Sequence, residues 1–216
     1  MGNLVFACTA GSTAAAHQAV LLAQSLREFG GHYREARFWV FASPQNRIVS
    51  SQLDEQGLDV IPFDFPTELS GFPFAAKVYA SAAAEAAVEH SADLLAWMDS
   101  DSLVVGEPHE LELPEGALVG CRPVDLALIG SRFDRPADSF WRAIYKGCNV
   151  SRDQIYPVTT AVDGVRIRAY YNAGLLLVRP QARLLRQWAQ TFELLYKEPT
   201  IQSLSLRHPM IQIFLH

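Results

Sequence analysis

Hydrophobic residues along the first hundred positions follow two different spacings. Mainly apolar runs stand at residues 4–9 (LVFACT), 37–42 (RFWVFA) and 94–98 (LLAWM), and each run predicts a buried strand. Between the first two runs, apolar positions such as Leu22 and Leu26 recur every three or four residues. That spacing predicts an amphipathic helix, because it places these side chains on one helical face.

Capping residues mark where the first helices begin and end. Ser12 offers an N-cap hydroxyl before the first helix, and the glycines at 30–31 supply its C-terminal stop. Ser43 followed by Pro44 predicts the start of a second helix, with proline at the first helical position, and Gly57 ends that helix. The chain therefore alternates strand and helix from its beginning.

The same alternation continues to residue 98. Residues 59–63 (DVIPF) predict a third strand, which Pro62 places at the edge of a sheet. An alanine-rich helix over residues 74–90 then leads into the run at 94–98. This order of elements predicts an α/β fold with a mostly parallel central sheet and helices on both faces.

The second half of the chain has fewer clear signals. Residues 117–121 and 170–178 (YYNAGLLLV) predict strands, and residues 181–196 predict an amphipathic helix. Residues 122–168 contain polar and proline breaks without a clear period. The chain ends on apolar residues, HPMIQIFLH, with no cap, so we expect a fragment whose C-terminal part is missing.

Length, composition and charge narrow the class of protein. A chain of 216 residues with 50% hydrophobic and 19% charged residues predicts one globular domain, with halves at 1–105 and 106–216. The net charge of -5 and the scattered basic residues exclude a nucleic-acid-binding surface. Three widely spaced cysteines predict neither zinc nor a disulfide framework and indicate a cytoplasmic setting. No apolar run is long enough to span a membrane.

The candidate chemistry is concentrated at Asp99-Ser100-Asp101, directly after the run at 94–98. If the backbone stays extended there, Asp99 and Asp101 point to the same side, and two close carboxylates require a cation. Oxygen ligands suit Mn²⁺ or Mg²⁺, and ligands bind at the carboxyl ends of strands in open α/β sheets. A plain turn is the alternative, since aspartate and serine both favour turns.

Two segments resemble glycosyltransferases of the GT-A fold, which have a Rossmann-like sheet, and family 8 in particular. The segment WMDSDSLVVGEPHEL at 97–111 resembles the Asp-x-Asp segment of that family. The segment YYNAGLLLVRP at 170–180 is similar to its Tyr-Phe-Asn-Ala/Ser-Gly strand. Lys77 lies on the helix before the motif, where these families place a basic residue that reaches the donor; a solvated helix residue is the alternative.

The resemblance implies an enzyme that moves a sugar from a nucleoside diphosphate sugar, UDP-linked, to a glycan, protein or lipid acceptor, with the anomeric configuration retained. Asp99 and Asp101 would hold Mn²⁺ or Mg²⁺, and Lys77 and Asn172 would act in catalysis. Residues 122–168 would face the acceptor. The donor contacts implied are Thr9, Ala10, Gly11, Ser100, Ala173 and Gly174.

One departure from the family leaves other functions open. The family carries a third metal ligand in a His-x-x-Gly segment near its C-terminus, and neither His208 nor His216 matches it. A non-catalytic nucleotide-sugar-binding domain is therefore one alternative. An Asp-x-Asp phosphatase of the HAD type is a weaker alternative. In that class the motif follows the first strand, whereas here it follows the run at 94–98. A sugar-nucleotide pyrophosphorylase would need a glycine-rich loop with arginine after the first strand, which is absent.

Overall fold

The computed structural model describes residues 3–69, 72, 74–127 and 130–207. These residues fall into two compact units, Met1–Gly120 with Ala173–Trp188 and Cys121–Asn172 with Ala189–His216. The organisation as one domain with halves at 1–105 and 106–216 stays a prediction. The apolar C-terminal segment, with His208 and His216, lies outside the described residues.

Among the described residues, eight strands form two sheets. They are β1 (Leu4–Thr9), β2 (Arg37–Ala42), β3 (Asp59–Pro62), β4 (Leu94–Met98), β5 (Val119–Pro123), β6 (Pro157–Thr159), β7 (Arg166–Arg168) and β8 (Tyr171–Val178). The larger sheet has the order β3-β2-β1-β4-β8-β5. Strands β1 to β4 pair in parallel, whereas β8 runs antiparallel to β4. The predicted mostly parallel sheet is confirmed, and β3 lies at its edge.

Six α-helices lie within the same described ranges. They are α1 (Thr13–Phe29), α2 (Arg47–Asp54), α3 (Ala75–Val88), α4 (Ser139–Gly147), α5 (Leu184–Tyr196) and α6 (Pro199–Arg207). Within the described part of the chain, every helix is too short or too polar to cross a membrane.

The central strand β1 shows why the sheet needs helices on both faces. Leu4, Phe6 and Cys8 are buried in one apolar cluster, together with residues of α1 and α2. Val5 and Ala7 point the other way, into a second cluster with residues of α3 and the start of α5. Side chains alternate across a strand, so a strand that is apolar at every position buries both of its faces.

Two helices begin later than the sequence predicts. The cap of α2 is Asn46 and not Ser43, because the Asn46 side chain accepts a hydrogen bond from the Val49 N–H at 3.3 Å. Residues 43–46 form a turn instead, in which the Asn46 N–H donates to the Ser43 carbonyl at 2.9 Å. Helix α5 starts at Leu184 because Arg183, with φ at 56°, interrupts the backbone before it.

The second unit contains regular structure that the sequence pattern did not predict. Helix α4 is capped by Asp138, whose carboxylate accepts the Trp141 N–H at 2.9 Å. Strands β6 and β7 form a short antiparallel pair. These elements have three to nine residues, too few for a hydrophobic period to stand out within residues 122–168.

Candidate active site

Asp99 directly follows β4, at the carboxyl end of the parallel strands. The Ser102 N–H donates to the Asp99 carbonyl at 3.1 Å, so residues 99–102 close a turn. The extended backbone assumed for Asp99-Ser100-Asp101 is therefore wrong, and strand alternation does not set the directions of the two carboxylates. Asp99 and Ser100 are half-buried, whereas Asp101 is exposed.

Strand β8 brings the second motif next to the first. The Asp99 N–H donates to the Gly174 carbonyl at 2.8 Å, which continues the pairing of Met98 with Leu175. Ala173 is buried beside it. The two segments that resemble the glycosyltransferase family therefore meet where β4 ends. In the chain they are 73 positions apart, counted from residue 99 to residue 172.

Asn172 belongs to the second unit, whereas the next residue, Ala173, belongs to the first. It is exposed on β8. Its part in catalysis stays a prediction.

Lys77 is buried and lies against the motif. Its Nζ atom is 2.8 Å from Oδ1 and 2.9 Å from Oδ2 of Asp99. The Lys77 side chain is 7% exposed, so the alternative of a solvated helix residue is wrong. A buried ammonium group requires a partner charge, and the Asp99 carboxylate provides it.

The end of β1 supplies the predicted nucleotide-binding residues. The Thr9 hydroxyl and the Ala10 N–H both donate to the Phe41 carbonyl, at 2.9 and 3.0 Å. The Ala10 methyl group is buried in the core, so it is not available to a ligand. Gly11 is exposed, its carbonyl accepts from Asn46 Nδ2 at 3.2 Å, and a Cβ atom added to it would meet nothing within 4 Å.

Cys8 lies in the core beneath the motif. Burial raises the pKa of its thiol, and the nearby Asp99 carboxylate raises that pKa further. The thiol therefore stays protonated at neutral pH.

The loop that follows the motif is held by residues that the sequence did not indicate. The buried Ser25 hydroxyl of α1 accepts the Val104 N–H at 3.0 Å and donates to the Leu22 carbonyl at 2.7 Å. Glu107 of the same loop contacts both the backbone N–H and the ring of His32, and these contacts lower the pKa of its carboxyl. A serine inside a helix carries no motif, so its partner 79 residues away could not be predicted.

The donor atoms of the motif are compatible with one kind of metal ion. Asp99 and Asp101 offer carboxylate oxygens, which suit Mn²⁺ or Mg²⁺. Among the described residues, no three histidine, cysteine, aspartate or glutamate side chains come together as a complete metal site. Magnesium is usually held by one or two carboxylates together with substrate phosphates. The pair therefore fits an ion shared with a substrate.

A mostly parallel α/β sheet with an Asp-x-Asp turn after an inner strand is the arrangement expected of a glycosyltransferase of the GT-A type. The chain belongs to the family described as the Rhodobacterales glycosyltransferase domain, whose sequence model matches residues 5–215. This membership confirms the predicted enzyme class. No curated protein sequence gives a significant match.

Solved structures of the galactosyltransferase LgtC are similar in fold. An active-site mutant of LgtC superposes with a TM-score of 0.54 at 20% identity, covering 89% of this chain and 65% of that chain. LgtC in complex with donor and acceptor sugar analogs gives a TM-score of 0.51 at 19% identity, covering 98% and 82%. These similarities confirm the predicted GT-A fold. This chain spans about two thirds of the length of the LgtC mutant, 65% of it.

Proposed function

We propose that the chain transfers a sugar from a UDP-sugar to a hydroxyl group of a glycan, protein or lipid acceptor, with Mn²⁺ or Mg²⁺ as cofactor. The observation that carries this proposal is the contact of Asp99 with Gly174, which places the two family motifs side by side. LgtC, with the same fold, has been solved with donor and acceptor sugar analogs. By analogy with family 8, the anomeric configuration is retained.

Each of the predicted site side chains has a proposed part in this reaction. Asp99 and Asp101 would hold the ion, which when bound supplies positive charge to the departing nucleoside diphosphate. Lys77 fixes the Asp99 carboxylate and adds a positive charge near the donor phosphates. The Asn172 amide can donate to and accept from sugar hydroxyls. Gly11 leaves open space in which the nucleotide can lie.

A thermal-shift titration tests the donor site. The chain is titrated with UDP, GDP and CDP, each with and without Mn²⁺, in parallel with Asp101→Ala and with Asp54→Ala as a control. Asp54 is also exposed but lies at the end of α2. At a hundredfold excess over Kd, a ligand stabilises the native state by about 2.7 kcal/mol, a rise of roughly 5 to 10 °C in Tm.

The proposal requires a shift with UDP that needs Mn²⁺, is lost in Asp101→Ala and persists in Asp54→Ala. No shift with any nucleotide, in a sample with a cooperative melting transition, would contradict it. A shift with GDP or CDP instead would mean that the donor carries guanine or cytosine and not uracil.

A non-catalytic nucleotide-sugar-binding domain is the second candidate. Its motive is in the sequence, where neither His208 nor His216 matches the family's His-x-x-Gly segment. Mass spectrometry of a mixture of the protein, Mn²⁺ and UDP-galactose or UDP-glucose separates the two candidates. Release of UDP together with the free sugar, formed when water acts as the acceptor, supports the transferase, whereas nucleotide binding without turnover of either donor supports the binding domain.

A further inference from the structure

Two cavities lie at the end of the sheet opposite the Asp-Ser-Asp turn, where β1 and β4 begin. The first, of about 330 Å³, is lined by Leu4 and Leu94, the first residues of β1 and β4. The second, of about 290 Å³, lies beside it, and Asp93 lines both. The five residues of β4 lie between Asp93 and Asp99, so the two Cα atoms are about 20 Å apart. We call the two cavities together the opposite-edge groove.

The first cavity contains charged groups that are not paired with one another. Arg179 is half-buried, and its Nε atom donates to the Ala117 carbonyl at 2.9 Å. In the described part of the chain, no carboxylate lies within ion-pair distance of Arg179, although Asp93 and Glu112 line the same cavity. The Glu112 carboxylate makes no hydrogen bond to any described residue. The Glu112 carboxylate, the Asp93 oxygen that does not accept from Asn3 and the Arg179 nitrogens other than Nε are therefore available to a ligand.

The charge and walls of this cavity indicate the chemistry of that ligand. Two carboxylates against one guanidinium give a negative balance, which disfavours a phosphate or a nucleotide. A hydroxyl group can donate to a carboxylate and accept from a guanidinium at once. The apolar walls, formed by Tyr33 and the leucines, suit the C–H faces of a sugar ring.

The second cavity is lined mainly by polar side chains. Asn3, His90, Ser91 and Gln181 line it, and all four are exposed. Amide, imidazole and hydroxyl groups both donate and accept hydrogen bonds, as sugar hydroxyls do. Each cavity is near the lower limit of size for a small-molecule site, so each has room for about one sugar ring.

We infer that the opposite-edge groove binds a short oligosaccharide, with Asp93 between two sugar subsites. This site is separate from the Asp-Ser-Asp turn, and the inference stands whether or not the chain transfers sugar. In a transferase, the groove would bind a glycan chain away from the site of transfer.

Saturation-transfer NMR and calorimetry on the full chain test this inference. The probes are lactose, maltotriose and N,N′-diacetylchitobiose at millimolar concentration. The variants are Asp93→Ala and Glu112→Ala, with Glu115→Ala as a matched control, since Glu115 is exposed in the same loop but lines neither cavity. Asp93 also accepts the Asn3 N–H at 2.7 Å, so the unpaired Glu112 provides the variant that leaves the fold intact.

We expect at least one probe to bind and its affinity to fall about tenfold in Glu112→Ala and in Asp93→Ala, the loss expected for a hydrogen bond to a charged group. Binding should be unchanged in Glu115→Ala and Asp101→Asn and should resist competition by UDP. Failure of all three probes to bind would overturn the inference. So would binding that UDP displaces or that only Asp101→Asn removes, since the sugar would then occupy the transfer site.

Discussion

Replacing Lys77 with methionine should strengthen the binding of Mn²⁺ in the absence of nucleotide. Methionine keeps most of the buried volume and removes the charge that contacts both oxygens of Asp99. An ion bound to the same carboxylate at about 2.1 Å would lie no more than about 5 Å from Nζ. In bulk water, a single and a double charge at that distance repel by about 1.7 kcal/mol. Removing the charge should tighten Mn²⁺ binding by roughly fifteenfold.

The fold should tolerate this substitution. Removing Lys77 loses the attraction between the two charges but also ends the cost of keeping an ammonium group out of water. The Asp99 side chain is 37% exposed, so water can solvate its carboxylate. We expect the free energy of unfolding to fall by less than about 3 kcal/mol, since losing one partner costs about 3 to 5 kcal/mol only where the remaining charge is left buried.

Calorimetry or electron paramagnetic resonance of Mn²⁺ binding measures this effect in wild type, Lys77→Met and the control Lys146→Met. Lys146 is exposed in the second unit. With Mn²⁺ saturating, UDP should bind more weakly to Lys77→Met, since a positive charge near the phosphates is lost. Mn²⁺ binding that is unchanged or weaker in a folded Lys77→Met protein would refute the reasoning, because Lys77 and the ion would not share Asp99.

Three further substitutions test separate parts of the structure. Ser25→Ala should lower the free energy of unfolding by about 1 to 3 kcal/mol, because the buried Val104 N–H loses its acceptor; an unchanged urea midpoint would contradict this. Arg186 lowers the pKa of Glu89 to about 2, so this carboxylate stabilises the fold above pH 4.5 and the contribution is lost as pH falls towards 2. In Glu89→Gln, the free energy of unfolding should therefore fall less between pH 4.5 and pH 2 than in the wild type, as measured by urea unfolding at each pH. Gly11→Ala should leave Tm unchanged and weaken UDP binding, and equal affinity would place the nucleotide elsewhere.

The elements that the sequence predicted well are those with a strong local signal. Strands β1, β2 and β4 are buried on both faces, so continuous apolar runs reveal their bounds. The antiparallel direction of β8 left no trace in its composition, because direction depends on the path of the intervening chain. Helix α2 was placed too early because proline after serine gave a plausible cap, whereas the side chain of Asn46 made the stronger one.

The candidate site was predictable in its residue types but not in its contacts. The Asp-Ser-Asp motif and the Asn-Ala-Gly strand each carry a recognisable order of residues, and β8 pairing brings them together. The pairing of Lys77 with Asp99 depends on how α3 packs on the sheet, which no local pattern encodes. Likewise, Ser25 acts through a loop 79 residues away.

The two aspartates of the motif differ in how firmly the structure holds them. Asp99 is fixed at three points: its N–H bonds to Gly174, its carbonyl closes the turn with Ser102, and its carboxylate pairs with Lys77. The Asp101 carboxylate makes no hydrogen bond or ion pair with any described residue. Ordering a side chain on binding costs about 0.5 to 1.5 kcal/mol. In the proposed metal site that cost falls on Asp101, because the carboxylate of Asp99 is already ordered by Lys77.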